Sequence, residues 1–280
     1  MSLAFLITAH QQPAQLAMLL RQIQHPDCIY FVQPDSKTLS GTEPALQAVV
    51  REFSNVYIAP ARDMRWASWS LMSARLDGIT TLLKRSEPWQ TLVMLSGQDF
   101  PLQKVETMMA TFAEKPDHSW IDLIDPLTTW DDPYARPQRL RLELPFMKSG
   151  FTVPKVRIDR WAKHLGKARY MGGSPWMALS RAFCQHLIDS PDLPDWKAAL
   201  TNSYRPDQVL IHSFLANSPF ADKVVNQKIH EEQWGDDPSH PRVLTMADRE
   251  LLEKSPYPFA RKFDISVDRS ILEHLQQRLG

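Results

Sequence analysis

An α/β fold, with a sheet flanked by helices and loops gathered beyond the strand ends, is what this 280-residue sequence predicts. Three observations predict it. Apolar runs of strand length alternate with helical stripes through the first hundred residues. Several of those runs stop abruptly on polar groups, as in "LVMLSGQDFPL" (92–102), where a core strand delivers Ser96, Gly97, Gln98 and Asp99 to one point. Finally, 43% hydrophobic and 23% charged residues are the proportions of an ordinary globular domain with a substantial core.

The elements follow in order. "LAFLITA" (3–9) is a first strand, and Pro13 opens a helix whose Leu16, Leu19, Leu20 and Ile23 fall at i, i+3, i+4 and i+7. Strands follow at 28–33 and 55–59, and a helix carries Trp69, Met72, Leu76, Ile79 and Leu83 on one stripe. The next strand is 91–95. Residues 126–173 are rich in Pro, Arg and aromatics without clear periodicity, and are expected to be an irregular insertion that is either a lid or has short elements of its own. Regularity returns with a strand at 175–180, a helix from Arg181 to Asp189, a helix opened by Pro206, and a strand at 223–229. Thr245 with Asp248 makes a capping-box variant, and the last helix starts at Asp268. The whole reads as one domain, 1–280, interrupted by the 126–173 insertion.

In open α/β sheets ligands bind beyond the carboxyl ends of the strands. His10, Asp35 and Asp99 each follow a strand, so three strands can aim them at one pocket. The 32 basic residues balance 32 acidic ones, which argues against a nucleic-acid partner. No apolar run reaches the roughly 18 residues of a membrane helix. The N-terminus lacks a basic segment and reads as a strand rather than a secretion signal. Cys28 and Cys184 cannot form a disulfide framework, and a cytoplasmic location is expected. Peripheral membrane contact stays open.

No metal-ligand spacing, Asp-X-Asp triplet, nucleophile elbow or Gly-X-Gly-X-X-Gly turn is present. "MGGS" (171–174) reads as a turn. Five blocks, "WASWSLM" (66–72), "LSGQDFPL" (95–102), "GSPWMALSRAF" (173–183), "RPDQ" (205–208) and "FARKFD" (259–264), stand in the order and approximate spacing of the core-2/I-branching β-1,6-N-acetylglucosaminyltransferase family, which includes the peptide O-xylosyltransferases. The chain resembles that family from His10 to Asp268. The resemblance implies a GT-A-like (Rossmann-like) mixed central sheet flanked by helices, and an inverting glycosyltransferase that uses a UDP-sugar and no divalent metal or other cofactor.

By this resemblance, single residues take on roles. Arg242 and Lys262 would neutralise the leaving diphosphate in place of a cation. Ala9, His10, Gln11, Asp35, Ser36, Lys37 and Trp66 would contact the donor, with Asp99 counted beside them. Glu106, Trp234 and Asp236 would contact the acceptor, a glycan or glycoconjugate. The family's general base is a glutamate at the position of Gln208, and a carboxamide cannot take that proton. Either Asp207 serves, or another carboxylate such as Glu106, or the chain is a silenced nucleotide-sugar or glycan binder. Xylosyl or hexosyl transfer is the variant reading within the family.

Overall fold

The computed structural model describes every residue except 38, 40–41, 133–134, 145–146, 148–149, 159 and 237–239. Its strands, in chain order, are β1 (Leu3–Ala9), β2 (Ile29–Pro34), β3 (Val56–Ile58), β4 (Thr91–Ser96), β5 (Asp99–Pro101), β6 (Ser119–Trp120), β7 (Arg139–Leu142), β8 (Phe151–Arg157), β9 (Ala178–Ser180), β10 (Val224–Val225), β11 (His230–Glu232) and β12 (Phe259–Arg261). The expected α/β class holds, with helices between strands and mixed strand directions. The chain comprises two compact units: Met1–Arg62, Glu87–Pro116 and Lys228–Gly280 form the first, Asp63–Ser86 and Asp117–Gln227 the second.

In the first unit β4, β1, β2 and β3 lie side by side in that order, all parallel. Every residue of β1, β2 and β4 is buried, the pattern of strands covered on both faces. Leu16, Leu19 and Leu20 of the helix Pro13–Gln22, and Ile23 at its C-cap, are fully buried, as their spacing requires. In the registers Ala9 stands opposite Pro34 and Thr8 opposite Ser96, so three strands end at one edge. A second sheet pairs β12 in parallel with β11 and antiparallel with β5.

In the second unit the helix Trp69–Leu83 buries Met72, Leu76, Ile79 and Leu82, so its last core contact is Leu82 rather than the expected Leu83. It packs against the helix Arg181–Asp189. β6 pairs in parallel with β10 and antiparallel with β9. Two expected strands are shorter than read. The 175–180 run is a strand only from Ala178, because Trp176 N turns back to Ser174 Oγ at 3.4 Å. The 223–229 run ends at Val225, where Gln227 N closes a turn on Val225 O at 2.9 Å. The 126–173 insertion, apart from its residues outside the described set, has elements of its own: the β7–β8 hairpin and the short helices Pro126–Thr129, Ala135–Gln138 and Trp161–Leu165. Its end is fixed by edge-to-face rings in series, Tyr170 to Trp161 at 5.2 Å, Trp161 to Trp196 at 5.5 Å and Trp196 to Phe214 at 5.6 Å. Among the described residues no helix is long and apolar enough to cross a membrane.

"MGGS" is more than a turn. Gly172 forms an antiparallel bridge with Ile124, and Gly173 N donates to Gln208 O at 3.2 Å. A Cβ on Gly173 would meet Asp122 O at 1.8 Å and His212 Nε2 at 2.9 Å, so only glycine allows this approach. Gly173→Ala is expected to destabilise the fold by more than ~2 kcal/mol, because backbone rather than a flexible side chain must move; chemical denaturation measures it.

Candidate functional site

The strand ends of the first unit gather the residues that the sequence singles out. Asp35 N donates to Ala9 O at 2.8 Å, which ties the exit of β2 to that of β1. Asp35 Oδ1 accepts from Lys37 Nζ at 2.8 Å and Lys37 N at 3.2 Å, a turn that returns the lysine onto its own carboxylate. Ser36 is exposed beside it, its N–H donating to Arg62 O at 3.0 Å. His10 is exposed at the end of β1, with Gln11 half-buried after it. Desolvation, then the nearby Lys262 charge, lowers the His10 pKa against the pull of Asp35, so its imidazole is uncharged at neutral pH.

Asp99 answers why a core strand ends in polar residues. It is 0% exposed, and its carboxylate accepts from Ser96 N at 2.7 Å, Ser96 Oγ at 2.7 Å, His230 Nε2 at 3.2 Å and Arg261 Nε at 3.0 Å. Its place is therefore inside the unit, beneath the strand-end group rather than facing a ligand. Burial alone would raise its pKa; the His230 and Arg261 charges, with the hydrogen bonds from His230 and Ser96, reverse that and leave it at about 2.

The same carboxylate fixes the cations. β12 sets Arg261 opposite Asp99, and Lys262 follows at once. Lys262 O accepts from Leu244 N at 2.8 Å, so the 242–244 segment runs beside it, and Arg242 N donates to Gln233 O at 2.8 Å. The two predicted cations thus stand on adjacent segments. Arg242 makes a forked pair with Asp248, Nη1 to Oδ2 at 2.8 Å and Nη2 to Oδ1. Asp248 is the acidic member of the predicted Thr245 capping box. A guanidinium has five N–H donors, and this pair occupies one edge of it. Trp234, 53% exposed, bridges to Pro241, and Asp236 is exposed; residues 237–239 lie outside the described residues.

The remaining predicted residues belong to the second unit. Asp207 and Gln208 lie on the single turn Pro206–Gln208, a 3₁₀ helix in which successive side chains point about 120° apart. Asp207 is 7% exposed; its Oδ2 stands 3.5 Å from Nη1 of Arg75, which is itself buried and lies 4.8 Å over the Trp176 ring. Its other oxygen, Oδ1, is buried with no hydrogen-bond partner among the described residues. Gln208 Oε1 accepts from Arg136 Nε at 2.7 Å. Trp66, 43% exposed, sits among guanidiniums, Arg205 at 4.8 Å and Arg141 at 5.8 Å from its ring centre. Arg205 (φ 53°) donates its N–H to Ala67 O at 3.0 Å, and Ala67 (φ 57°) is left-handed too, so two non-glycine residues hold uncommon backbone here.

Within the first unit, Glu106 is not brought to His10 and Asp35. It is exposed in the first turn of the helix Val105–Ala113, 4.0 Å from His25, which precedes β2, whereas His10 and Asp35 follow strand ends about 20 Å along the sheet. Sequence reasoning passed over Arg75, Gln15 and Arg261. A charge at 75 inside the Met72–Ile79 stripe was the legible sign of the first. Gln15, fully buried, donates Nε2 to Gly97 O at 3.1 Å and Phe263 O at 3.2 Å and accepts Ile265 N at 2.8 Å, contacts that only folding creates. Among the described residues no three His, Cys, Asp or Glu are grouped to hold a metal ion.

Residues 3–253 match the family model described as Core-2/I-Branching enzyme, nearly the length of the chain. The chain belongs to the core-2/I-branching enzyme family. It is 25% identical to human xylosyltransferase 1 over 99% of this chain and 30% of that protein. It is 23% identical to the mouse protein named beta-1,3-galactosyl-O-glycosyl-glycoprotein beta-1,6-N-acetylglucosaminyltransferase 4, over 74% of this chain and 45% of that one. The chain spans about a third of the length of the curated xylosyltransferases it matches. The crystal structure of mouse xyloside xylosyltransferase 1, apo form, superposes with a TM-score of 0.46 at 9% identity, covering 93% of this chain and 97% of that one. In this core-2/I-branching chain the buried Asp99 leads to a direct expectation. Its lowered pKa makes the carboxylate stabilise the fold above the unfolded value near 4 and lose that contribution as pH falls toward about 2. Asp99→Asn should cost about 3–5 kcal/mol by leaving Arg261 and His230 without their counter-charge and should flatten the acid limb between pH 4 and 2, read by denaturation at each pH.

Proposed function

We propose that this core-2/I-branching chain is an inverting, metal-independent glycosyltransferase that moves a sugar, N-acetylglucosamine first among the choices, from its UDP donor to a glycan hydroxyl. The observation that carries the reading is the adjacency of Lys262 and the Arg242 segment at the edge where β1 and β2 deliver His10 and Asp35. Departure of UDP leaves negative charge on the diphosphate, and two fixed cations stabilise it without an ion. Asp248 holds the Arg242 guanidinium in one orientation before any ligand arrives, so less side-chain freedom is lost on binding. Asp35 and the neutral His10 supply an acceptor and a ring beside the cations for the nucleoside.

In the second unit Asp207 Oδ1 is the group we assign to the acceptor proton. One oxygen is held by Arg75 and the other is buried with no donor among the described residues, so an incoming hydroxyl would satisfy it. The xylosyl and hexosyl variants rest on the same machinery, because pocket shape chooses the sugar. Gln208 favours a second reading, a nucleotide-sugar binder without turnover: its carboxamide takes the Arg136 N–H and has no basic oxygen to offer.

Calorimetry with UDP in the presence of a chelator tests the first claim. Binding is expected, with Arg242→Ala and Lys262→Ala each weakening it about 10- to 100-fold, the scale of a charge-assisted hydrogen bond; no binding at saturating UDP would end the reading. Turnover with UDP-N-acetylglucosamine or UDP-xylose separates the two alternatives. Asp207→Asn should lower kcat by ~10²–10⁴ if that carboxylate takes the proton, whereas a silenced binder shows no native turnover and gains it in Gln208→Glu.

A further inference from the structure

The chain as a whole is neutral, but its charge is unevenly placed. Residues 136–169, inside the insertion of the second unit, hold ten Lys and Arg against two acids, Glu143 and Asp159, so the opposing negative excess lies elsewhere in the chain. A stretch this basic within a balanced chain marks a surface that meets something anionic. Some of its cations face the protein. Arg136 Nε donates to Gln208 Oε1 at 2.7 Å, Arg141 to Ser68 Oγ and Thr152 Oγ1 at 2.8 and 2.7 Å, Arg160 Nη1 to Thr201 O at 3.1 Å and Arg139 Nη2 to Asp132 Oδ2 at 3.0 Å. Lys163, Lys167 and Arg169 are exposed, and no ion pair joins them to an acid among the described residues.

Those three stand on a firm support. The helix Trp161–Leu165, which carries Lys163, is held against the helix Leu193–Leu200 by the Trp161 and Trp196 rings, 5.5 Å apart, and by His164 Nδ1 at 3.7 Å from Asp195 Oδ1. Asn217 clamps the backbone of Arg169: its Oδ1 accepts the Arg169 N–H and its Nδ2 donates to the Arg169 carbonyl, each at 2.8 Å. The same insertion exposes large apolar side chains at and beside the β7–β8 hairpin, Phe151 at 44%, Val156 at 40% and Leu144 at 37%. Their exposure is not that of loose chain. Leu144 O accepts from Arg65 Nη1, and Glu143 Oε1 takes the Ser70 N–H at 2.8 Å, so the backbone that displays Leu144 is tied down on both sides. Apolar groups kept in water by a fixed backbone, with cations in the same segment, mark a place of contact.

We propose that the 136–169 insertion is a docking surface for a membrane that bears anionic phospholipid. Lys163, Lys167 and Arg169 supply the attraction to headgroup phosphates, and Leu144, Phe151 and Val156 enter the boundary between headgroups and acyl chains. The pairing of the two chemistries is what selects a bilayer. A soluble polyanion complements the charge alone and leaves the apolar side chains in water. Among the described residues no helix is long and apolar enough to cross the bilayer, so the contact is a peripheral one. The inference stands apart from the transferase reading, since neither the Arg242 and Lys262 edge nor Asp207 takes part in it.

Flotation of the full chain with phosphatidylcholine vesicles, with and without about a third phosphatidylglycerol, tests it. Binding to the anionic vesicles is expected to exceed binding to the neutral ones at least ~10-fold at low salt, and to fall as sodium chloride rises from about 0.05 M to about 0.5 M. Lys163→Glu, Lys167→Glu and Arg169→Glu combined should abolish that preference. Leu144→Ser with Phe151→Ser should weaken vesicle binding ~10-fold at unchanged charge, while binding to dextran sulfate, a soluble polyanion, stays the same. Circular dichroism checks that each variant is folded, and glutamines at 163, 167 and 169 replace the glutamates if those unfold the chain. Equal binding to neutral and anionic vesicles overturns the proposal, as does a preference that the triple variant retains. A serine variant that floats as the unaltered chain does shows a surface for charge alone and overturns the bilayer assignment too.

Discussion

The buried Asp99 carboxylate is the constraint on which the first unit depends. An ionised carboxylate taken out of water costs several kcal/mol unless its lone pairs are filled, and here four donors from the end of β4, from β11 and from β12 fill them. Each donor belongs to an element that would otherwise have little reason to stop where it does. Ser96 ends β4, His230 begins β11, and Arg261 ends β12 one residue before Lys262. The position of the lysine is therefore a consequence of an ion pair inside the unit. The Leu244 N to Lys262 O bond then passes the same placement on to the Arg242 segment.

The second unit solves a similar problem differently. Arg75 lies in the buried stripe of its helix and is accommodated by Asp207 and by the face of Trp176. The short turn 206–208 is held from behind by Gly173, whose N–H donates to Gln208 O and whose Cα lies so close to Asp122 O that no side chain fits there. The turn thus has a packed floor and a polar upper side, where the Arg136 and Arg205 guanidiniums lie over aromatic rings. In each unit buried ionic or close-packed contacts fix backbone, and the backbone presents the groups assigned to chemistry.

Those assignments differ in what their residues do in the fold. Arg242 and His10 reach one edge exposed, Lys262 partly so and Asp35 buried, while Asp99, counted with them by its place after a strand, is enclosed completely. Strand-end position alone does not separate the two cases. Asp99 draws donors from three strands, whereas Asp35 takes the amide and ammonium of Lys37 in its own turn. Glu106 shows the complementary failure, since nearness in sequence to "LSGQDFPL" says nothing about which edge of the sheet a following helix begins on.

The sequence by itself determined the parallel strands β1, β2 and β4, the helix faces beginning at Pro13 and Trp69, the N-cap at Thr245 and the start of the last helix near Asp268, and, through five ordered blocks, the family. These depend on period, capping and local order, which act over a few residues and are visible in a string of letters. Only the tertiary structure decided that Asp99 is buried, that Glu106 lies at the opposite edge, that "MGGS" is a close-packing contact, and that Arg136, Arg141 and Arg205 share aromatic faces. The physical reason is range: each of those outcomes is fixed by contacts between residues far apart in the chain, and no local pattern encodes which distant donor will meet which acceptor.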